Sequence, residues 1–180
     1  MKVLMHSCCA PCATFPLFLL RSEGYSVDGV FLDPNIDPDA ERERRWVVYR
    51  DFAEAERWSV RKVDVPHEEW LSAVSPDLSK PGRCRLCYRN RLRPVARTAA
   101  EEGYDCFTTT LLVSIHQDHE GVAQAAREAS EECGVPFLYR DFRVGYRRSR
   151  ELARGRHMYM QKYCGCEFSA LESGNQAAKR

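Results

Sequence analysis

Residues 2–12 read KVLMHSCCAPC, a short β-type run that passes almost at once into three cysteines and then into a helical pattern. Strand, turn and helix in that order open a βα unit. The alternation continues along the chain. Residues 27–32 (VDGVFL), 60–65 (VRKVDV), 105–112 (DCFTTTLL) and 136–142 (PFLYRDF) are further strand candidates, while 40–58, 84–102 and 119–133 carry helical spacing. In the first of these helices Val48, Phe52 and Ala55 fall at i, i+4 and i+7, a stripe that can cover a sheet while the arginines and glutamates face outward. Pro94 interrupts the second, where a kink or break is expected.

This pattern predicts an α/β fold: a single domain over residues 1–169, its mostly parallel sheet flanked by helices through right-handed crossovers. Residues 170–180 are expected to form a flexible C-terminal tail. Such sheets bind ligands beyond the carboxyl ends of their strands. The cysteines at 8–12 fall there, as do DPNIDP at 33–38 and SIHQDH at 114–119, so a metal site is expected on that rim.

At 180 residues the chain is long enough to bury about two thirds of its unfolded surface and needs no cysteine staples. No apolar run approaches the roughly 20 residues of a membrane-spanning helix, and MKVLMHSCC is interrupted too early for a signal peptide. A cytoplasmic protein without membrane contact is the expectation. The net charge is only +1, but unevenly spread. Acids outnumber bases over 28–56, whereas Arg83, Arg85, Arg89, Arg91, Arg93 and Arg97 follow one another with no acid between, and a second basic stretch over 140–162 includes Arg143 and Arg147. A polyanionic partner and a solvated helix face both account for such charge.

Nine cysteines are too many for packing alone, and a reducing compartment would not keep them as disulfides. Cys106 and Cys133 stand alone and suit core packing. The others form three groups: Cys8, Cys9 and Cys12; Cys84 and Cys87; Cys164 and Cys166. Adjacent cysteines on an extended backbone point to opposite sides, so Cys8 and Cys9 share one centre only through a bent turn, or else serve two neighbouring centres. Four thiolates could close a zinc site or carry an iron-sulfur cluster, and a metal-free thiol-disulfide relay needs only a nucleophilic and a resolving thiol. Seven grouped thiols exceed what any one of these uses. His6, beside the first group, is a candidate ligand or proton donor, and His116, Asp118 and His119 are proton-transfer candidates if the fourth loop faces the site.

HSCCAPC, DPNIDPDAERERR, GRCRLCYRNRL, TTLLVSIHQDHEG and FRVGYRRSRELARGRHMYMQKYCGCEFS, in order from residue 6 to 169, resemble the signatures of the QueH family, the cobalamin-independent epoxyqueuosine reductases. The resemblance implies a Rossmann-like α/β metalloenzyme that carries a 4Fe-4S cluster beside a mononuclear iron. It also implies the last step of queuosine biosynthesis: removal of the epoxide oxygen from epoxyqueuosine at the wobble position of tRNA, with electrons from a donor the sequence does not identify. Carried over, Cys8, Cys9, Cys12, Cys84, Cys87, Cys164 and Cys166 become metal ligands, not divided between cluster and ion. Arg42, Ile115 and Met160 depart from the family pattern without removing a thiol.

Epoxide-to-alkene conversion takes two electrons and two protons, a task for a Lewis acid next to a one-electron donor. Candidate proton donors are His6, Tyr88, Asp118 and Tyr163. Arg83, Arg85, Arg89, Arg143 and Arg147 are candidate tRNA contacts, and Tyr88, Tyr146 or Tyr163 could stack on the unstacked base. Three other classes compete. ATP-dependent tRNA thiolation needs a glycine-rich phosphate loop, and CCAPC holds no glycine. A zinc-stabilised RNA-binding module would be colourless and free of iron, and a heterodisulfide-type reductase would act on thiols instead of RNA.

Overall fold

In a computed structural model describing residues 1–174, a four-stranded sheet of order β3-β2-β1-β4 is parallel throughout. The strands are β1 (Lys2–His6), β2 (Ser26–Phe31), β3 (Val60–Lys62) and β4 (Cys106–Thr109). The helices are α1 (Ala10–Ser22), α2 (Asp39–Ala55), α3 (His67–Val74), α4 (Gly82–Glu101), α5 (His119–Cys133), α6 (Tyr146–Gly155) and α7 (Glu167–Glu172). In β1, Val3, Leu4 and Met5 are all buried, as a central strand covered on both faces requires. The chain steps outward from β1 to β2 and β3, then returns to place β4 on the other side of β1. That reversal opens a crevice between the carboxyl ends of β1 and β4.

Several expectations change in three dimensions. PFLYRDF makes no full strand: Phe137 forms one parallel bridge to Phe107, with Phe107 N–H bonded to the Pro136 carbonyl and Leu138 N–H to the Phe107 carbonyl. The chain then turns into a 3-10 helix at Phe142–Gly145. DCFTTTLL likewise divides into β4 and a 3-10 helix at Thr110–Val113. Helix α4 runs through Pro94 without a break. The buried face of Leu92, Val95, Ala96 and Ala99 outweighs the lost hydrogen bond.

On α2 the buried face is Glu41, Arg45, Tyr49, Phe52 and Ala53, not the Val48–Phe52–Ala55 stripe, so one arginine and one glutamate point inward. Residues 170–172, expected in a flexible tail, belong to a helix. Helix α7 continues to Glu172 with Ala170 buried, and the expectation for 175–180 lies outside the described residues. A second apolar cluster of Trp70, Val74, Cys87 and Cys166, with Phe168 against it, ties α3, α4 and α7 together beside the main core.

Candidate metal centre

Helix α1 starts where the cysteines stand. Cys9 is its N-cap, with an extended backbone (φ −177°), and Cys12 lies in the first turn. The turn out of β1 brings the Cys8 and Cys9 sulfurs to 3.8 Å, so the adjacent pair faces one centre. The Sγ atoms of Cys8, Cys9 and Cys12 all lie within 4.8 Å of one another. Burial opposes ionisation of Cys9, but hydrogen bonds from the Cys12 and Cys8 thiols and the charge of Arg45 outweigh it and hold its pKa well below that of a free thiol. The Cys12 hydrogen bond lowers the Cys8 pKa, but its hydrogen bond with Cys9, burial and the Cys9 charge outweigh this and push it up to about 12. The helix N-terminus adds to the preference for one thiolate.

The other four thiols surround a cavity of about 230 Å³. Cys84 and Cys87 come from the first two turns of α4, Cys164 and Cys166 from the loop entering α7. Among the described residues, no three of them come as close together as the first set. Burial, then the neighbouring Cys164, raises the Cys84 pKa, and burial pushes Cys87 up to about 12 and raises Cys166. Raised thiol pKa values at Cys84, Cys87 and Cys166 disfavour the free thiolate that thiol exchange needs, whereas a metal ion would displace the protons on binding.

Two buried arginines bind the sets together. Arg45, 1 % exposed, donates to Glu41 Oε1 (2.7 Å), the Cys164 carbonyl (2.9 Å) and the Tyr163 carbonyl (3.2 Å), and its charge acts on Cys9. Arg91, one helical turn after Cys87 and equally buried, pairs with Asp33, and its charge is felt by Cys87, Cys8 and Cys164. Burial would raise the Asp33 pKa, but Arg91 and His6 more than reverse this and lower it. The loop at Cys164 closes through Gly165 at φ +144°, where a Cβ would meet Ile36 Cγ1 at 3.0 Å and Asn35 Nδ2 at 3.1 Å.

Amides meet the sulfurs directly. Gln117 Nε2 donates to Cys164 Sγ (3.3 Å), and its Oε1 accepts from the Tyr88 hydroxyl (2.7 Å), which in turn accepts from the Asp118 N–H (3.3 Å). Gln161 Nε2 donates to Cys9 Sγ (2.8 Å) and lies 4.0 Å from Cys12 Sγ. Asn35 is fully buried in the cavity wall, and neither end of its amide has a partner.

The expected proton donors separate. Tyr88 and Asp118 line the cavity, and Tyr88 is held protonated by burial and by the nearby Cys84 and Cys164. Asp118 caps α5, accepting from Gly121 N–H (3.0 Å) and facing Arg85 at 3.4 Å. His6 is buried beneath the rim, with Nδ1 on Thr109 Oγ1 (2.8 Å) and Nε2 on the Leu32 carbonyl (3.2 Å), and is not part of the cavity wall. Tyr163 donates to the Asp37 carbonyl (2.6 Å) under Arg45, also off the wall. His116 sits on the wall and meets the Tyr146 hydroxyl at 3.2 Å, whereas His119 is buried against Tyr139.

The arginines separate too. Arg83 is buried in the cavity wall, donating to the Leu78 carbonyl (2.7 Å) and Glu172 (2.6 Å), so its guanidinium braces α7. Arg85 and Arg89 are exposed on a groove between α4 and α5, outside the cavity wall, Arg89 in two hydrogen bonds to Glu128. Arg143 pairs with Asp141 and Arg147 with Glu151, both at the surface. Sequence reading placed the loops of Asp33, Asn35 and Gln117 on the rim without singling those residues out, and gave Arg45, Arg91 and Gln161 no role at the site. For Arg45 a signal existed: Glu41, Arg45, Tyr49 and Phe52 fall on one helical face. Among the described residues, no helix is long and apolar enough to cross a membrane.

The family model described as Epoxyqueuosine reductase QueH matches residues 3–172. The Epoxyqueuosine reductase QueH of Dehalococcoides mccartyi is 34% identical over 172 residues, 95% of this chain and 93% of that protein. That of Thermotoga maritima is 32% identical over 185 residues, 98% of this chain and 94% of its own. Among solved structures, a predicted subunit of tRNA methyltransferase from Methanocaldococcus jannaschii aligns with a TM-score of 0.58 at 11% identity, covering 86% of this chain and 74% of that one. A deacetylase of teicoplanin biosynthesis aligns with 0.51 at 15% identity, over 76% and 65%. At such identities the likeness is one of fold, whereas the family match spans both thiol sets and the helices that carry them: the chain belongs to the epoxyqueuosine reductase QueH family of oxidoreductases.

Proposed function

We propose that this chain removes the epoxide oxygen of epoxyqueuosine at the wobble position of tRNA, with a 4Fe-4S cluster on Cys84, Cys87, Cys164 and Cys166 and a single iron ion on Cys8, Cys9 and Cys12. The observation that carries this reading is the meeting of two unlike thiol sets at one end of the sheet. Three sulfurs stand close enough for one ion, and four are spread around a cavity larger than one ion needs.

When bound, the metals supply Lewis acidity toward the epoxide oxygen and one-electron steps fed by a separate donor. The chain's own residues make such a site tolerable and selective. Arg45 and Arg91 bring positive charge into the dry interior beside both sets, offsetting the charge of the thiolates. Gln117 donates to Cys164, a bond that withdraws electron density from the sulfur. Tyr88, protonated on the cavity wall, delivers a proton to the departing oxygen, its own oxygen held by the Asp118 N–H. At the rim, His116 and Tyr146 offer ring faces to an unstacked base, and Arg85 and Arg89 stand where its flanking phosphates would pass.

Anaerobically purified protein should contain iron and sulfide and, with a reductant, convert epoxyqueuosine in tRNA to queuosine by mass spectrometry of the nucleosides. Cys8→Ala, Cys84→Ala and Cys166→Ala should each abolish conversion. Colourless protein holding zinc, or iron-loaded protein that leaves the epoxide intact, overturns the reading.

A further inference from the structure

Residues 140–162 hold eight arginines and lysines against two acids, in a chain whose net charge is only +1. Much of this excess sits on α6. The helix buries Ser149 and Ala153 toward α1, where the Thr14 hydroxyl donates to the Ser149 carbonyl (3.4 Å), and it turns Arg147, Arg148 and Arg154 to solvent. Its single acid, Glu151, meets both Arg147 (3.1 Å) and Arg148 (3.6 Å). Arg150 lies over the Tyr146 ring at 5.8 Å, and neither it nor Arg154 pairs with an acid among the described residues. A surface this one-sided carries a self-repulsion that a bound polyanion relieves.

The place of α6 in the fold indicates which polyanion. Right-handed crossovers put α1 and α2 on one face of the sheet and α4 and α5 on the other, and α6 packs on α1. The arginines of α6 and the groove holding Arg85, Arg89 and Arg127 thus stand on opposite faces of the sheet. Tyr146, the first residue of α6, is at the mouth of the thiol cavity, its hydroxyl 3.2 Å from His116 Nε2 on the wall. From there the helix runs about 15 Å toward the far end of the sheet, where Arg156 pairs with Glu56 (2.6 Å) at the end of α2, just before β3. Next in the chain to the His116–Tyr146 contact, Ile115 and Val144 are 56% and 82% exposed, apolar surface on which bases can lie.

We propose that α6 is the docking face for the paired stem of the RNA, an inference that rests on the reading of tRNA as the substrate. With the wobble base lowered into the cavity, the rest of the loop covers Ile115 and Val144, and one strand of the stem runs down α6 with its phosphates on Arg147, Arg148 and Arg154. The backbone on the other side of the base passes toward Arg85 and Arg89. An anionic lipid surface fits less well, because Leu152 is half-buried and Ala153 buried, which leaves α6 no outward apolar face.

The test measures binding of a tRNA of the queuosine-bearing class across a salt series, with anaerobically purified protein. The double variant Arg147→Ala, Arg154→Ala should flatten the slope of the logarithm of affinity against the logarithm of salt concentration by about 0.7–0.9 for each arginine lost. Glu151→Gln, which frees Arg147 and Arg148, should tighten binding by about two- to fivefold. An isolated stem–loop should show both effects, whereas the loop alone, as a short single strand, should bind wild type and double variant alike. All three side chains are exposed, so circular dichroism and metal content should match wild type. Wild-type protein whose tRNA affinity ignores salt breaks the functional reading and this inference with it. A steep wild-type slope left unchanged by the double variant overturns the placement on α6 alone, as does an equal loss for the loop strand, which would put those arginines on the loop. Binding to phosphatidylserine vesicles that the double variant loses, with tRNA affinity unaltered, overturns it in favour of a membrane surface.

Discussion

The two thiol sets are built in opposite ways. Cys8, Cys9 and Cys12 come from one short stretch fixed between the buried strand β1 and the first turn of α1, so folding the first βα unit all but completes them. The second set joins the start of α4 to a loop near the end of the described chain. That loop is held in place by side chains: Arg45 on its carbonyls, Arg83 on Glu172, and His67 near Glu167 at 3.4 Å. A site formed by local geometry should survive loosening of the tertiary contacts around it, whereas a site formed by docking should not. Perturbing the docking should therefore separate the two metals proposed for them.

The largest effect is expected where the sets share a residue. Arg91→Met leaves Asp33 charged and buried beside Cys8, which should cost about 3–5 kcal/mol in urea unfolding and empty both sets. The same pair predicts a pH dependence. Because the folded-state pKa of Asp33 is depressed, its contribution to stability is complete above the unfolded value of about 3.9 and is lost as pH falls through the lower folded value. Acid titration of stability should show that loss in wild type and not in Asp33→Asn. Next comes Arg45→Met, which strands Glu41 and releases the Tyr163 and Cys164 carbonyls. Acid-labile sulfide should fall steeply while metal on the three-thiol set declines less; equal loss of both would break the comparison. A smaller effect, about 1–3 kcal/mol, is expected of Gly165→Ala, which forces a side chain into φ +144° against Ile36 and Asn35. It should reduce sulfide content and spare the three-thiol set.

How much of this could be read from the sequence follows the same division. The βα units, the parallel sheet and the placement of HSCCAPC at a strand's carboxyl end are written in short-range patterns, and they appear as expected. The grouping of the cysteines was legible, but their partition into three and four was not, because it depends on which side of the crevice each loop enters. Arg45, Arg91 and Glu41 were read as solvent-facing charge, and Asp33 only as part of a rim loop. The buried pair Glu41 and Arg45, at i and i+4, has the same spacing as a surface one, and Arg91 and Asp33 lie 58 residues apart, so only tertiary packing reveals either. The expected strand at 136–142 failed for a related reason: apart from the bridge at Phe137 it finds no ladder, since Pro136 brings no N–H.

Helix α4 repeats the contrast between interior and surface on its own two faces, and here the expected effects on stability are smallest. Arg83 and Arg91 turn toward the thiols and α7, while Arg85 and Arg89 turn outward beside a groove shared with α5. Arg89 already has Glu128 as a partner and Arg85 has a 3.4 Å contact with Asp118, so neither holds the fold alone; exposed pairs of this kind contribute little. Arg85→Ala and Arg89→Ala should each move the unfolding free energy by no more than about 0.5 kcal/mol. Under the proposed function, their effect belongs to RNA. Each should reduce by about one the slope of the logarithm of tRNA affinity against the logarithm of salt concentration, by removing one phosphate contact. Arg83→Ala should do the reverse, lowering stability and sulfide content through the loss of its bonds to Leu78 and Glu172 while leaving the salt slope unchanged. If Arg83→Ala flattened the slope and Arg85→Ala did not, the RNA would have to approach from the α7 side of the cavity, and the outward face of α4 would be ordinary solvated charge.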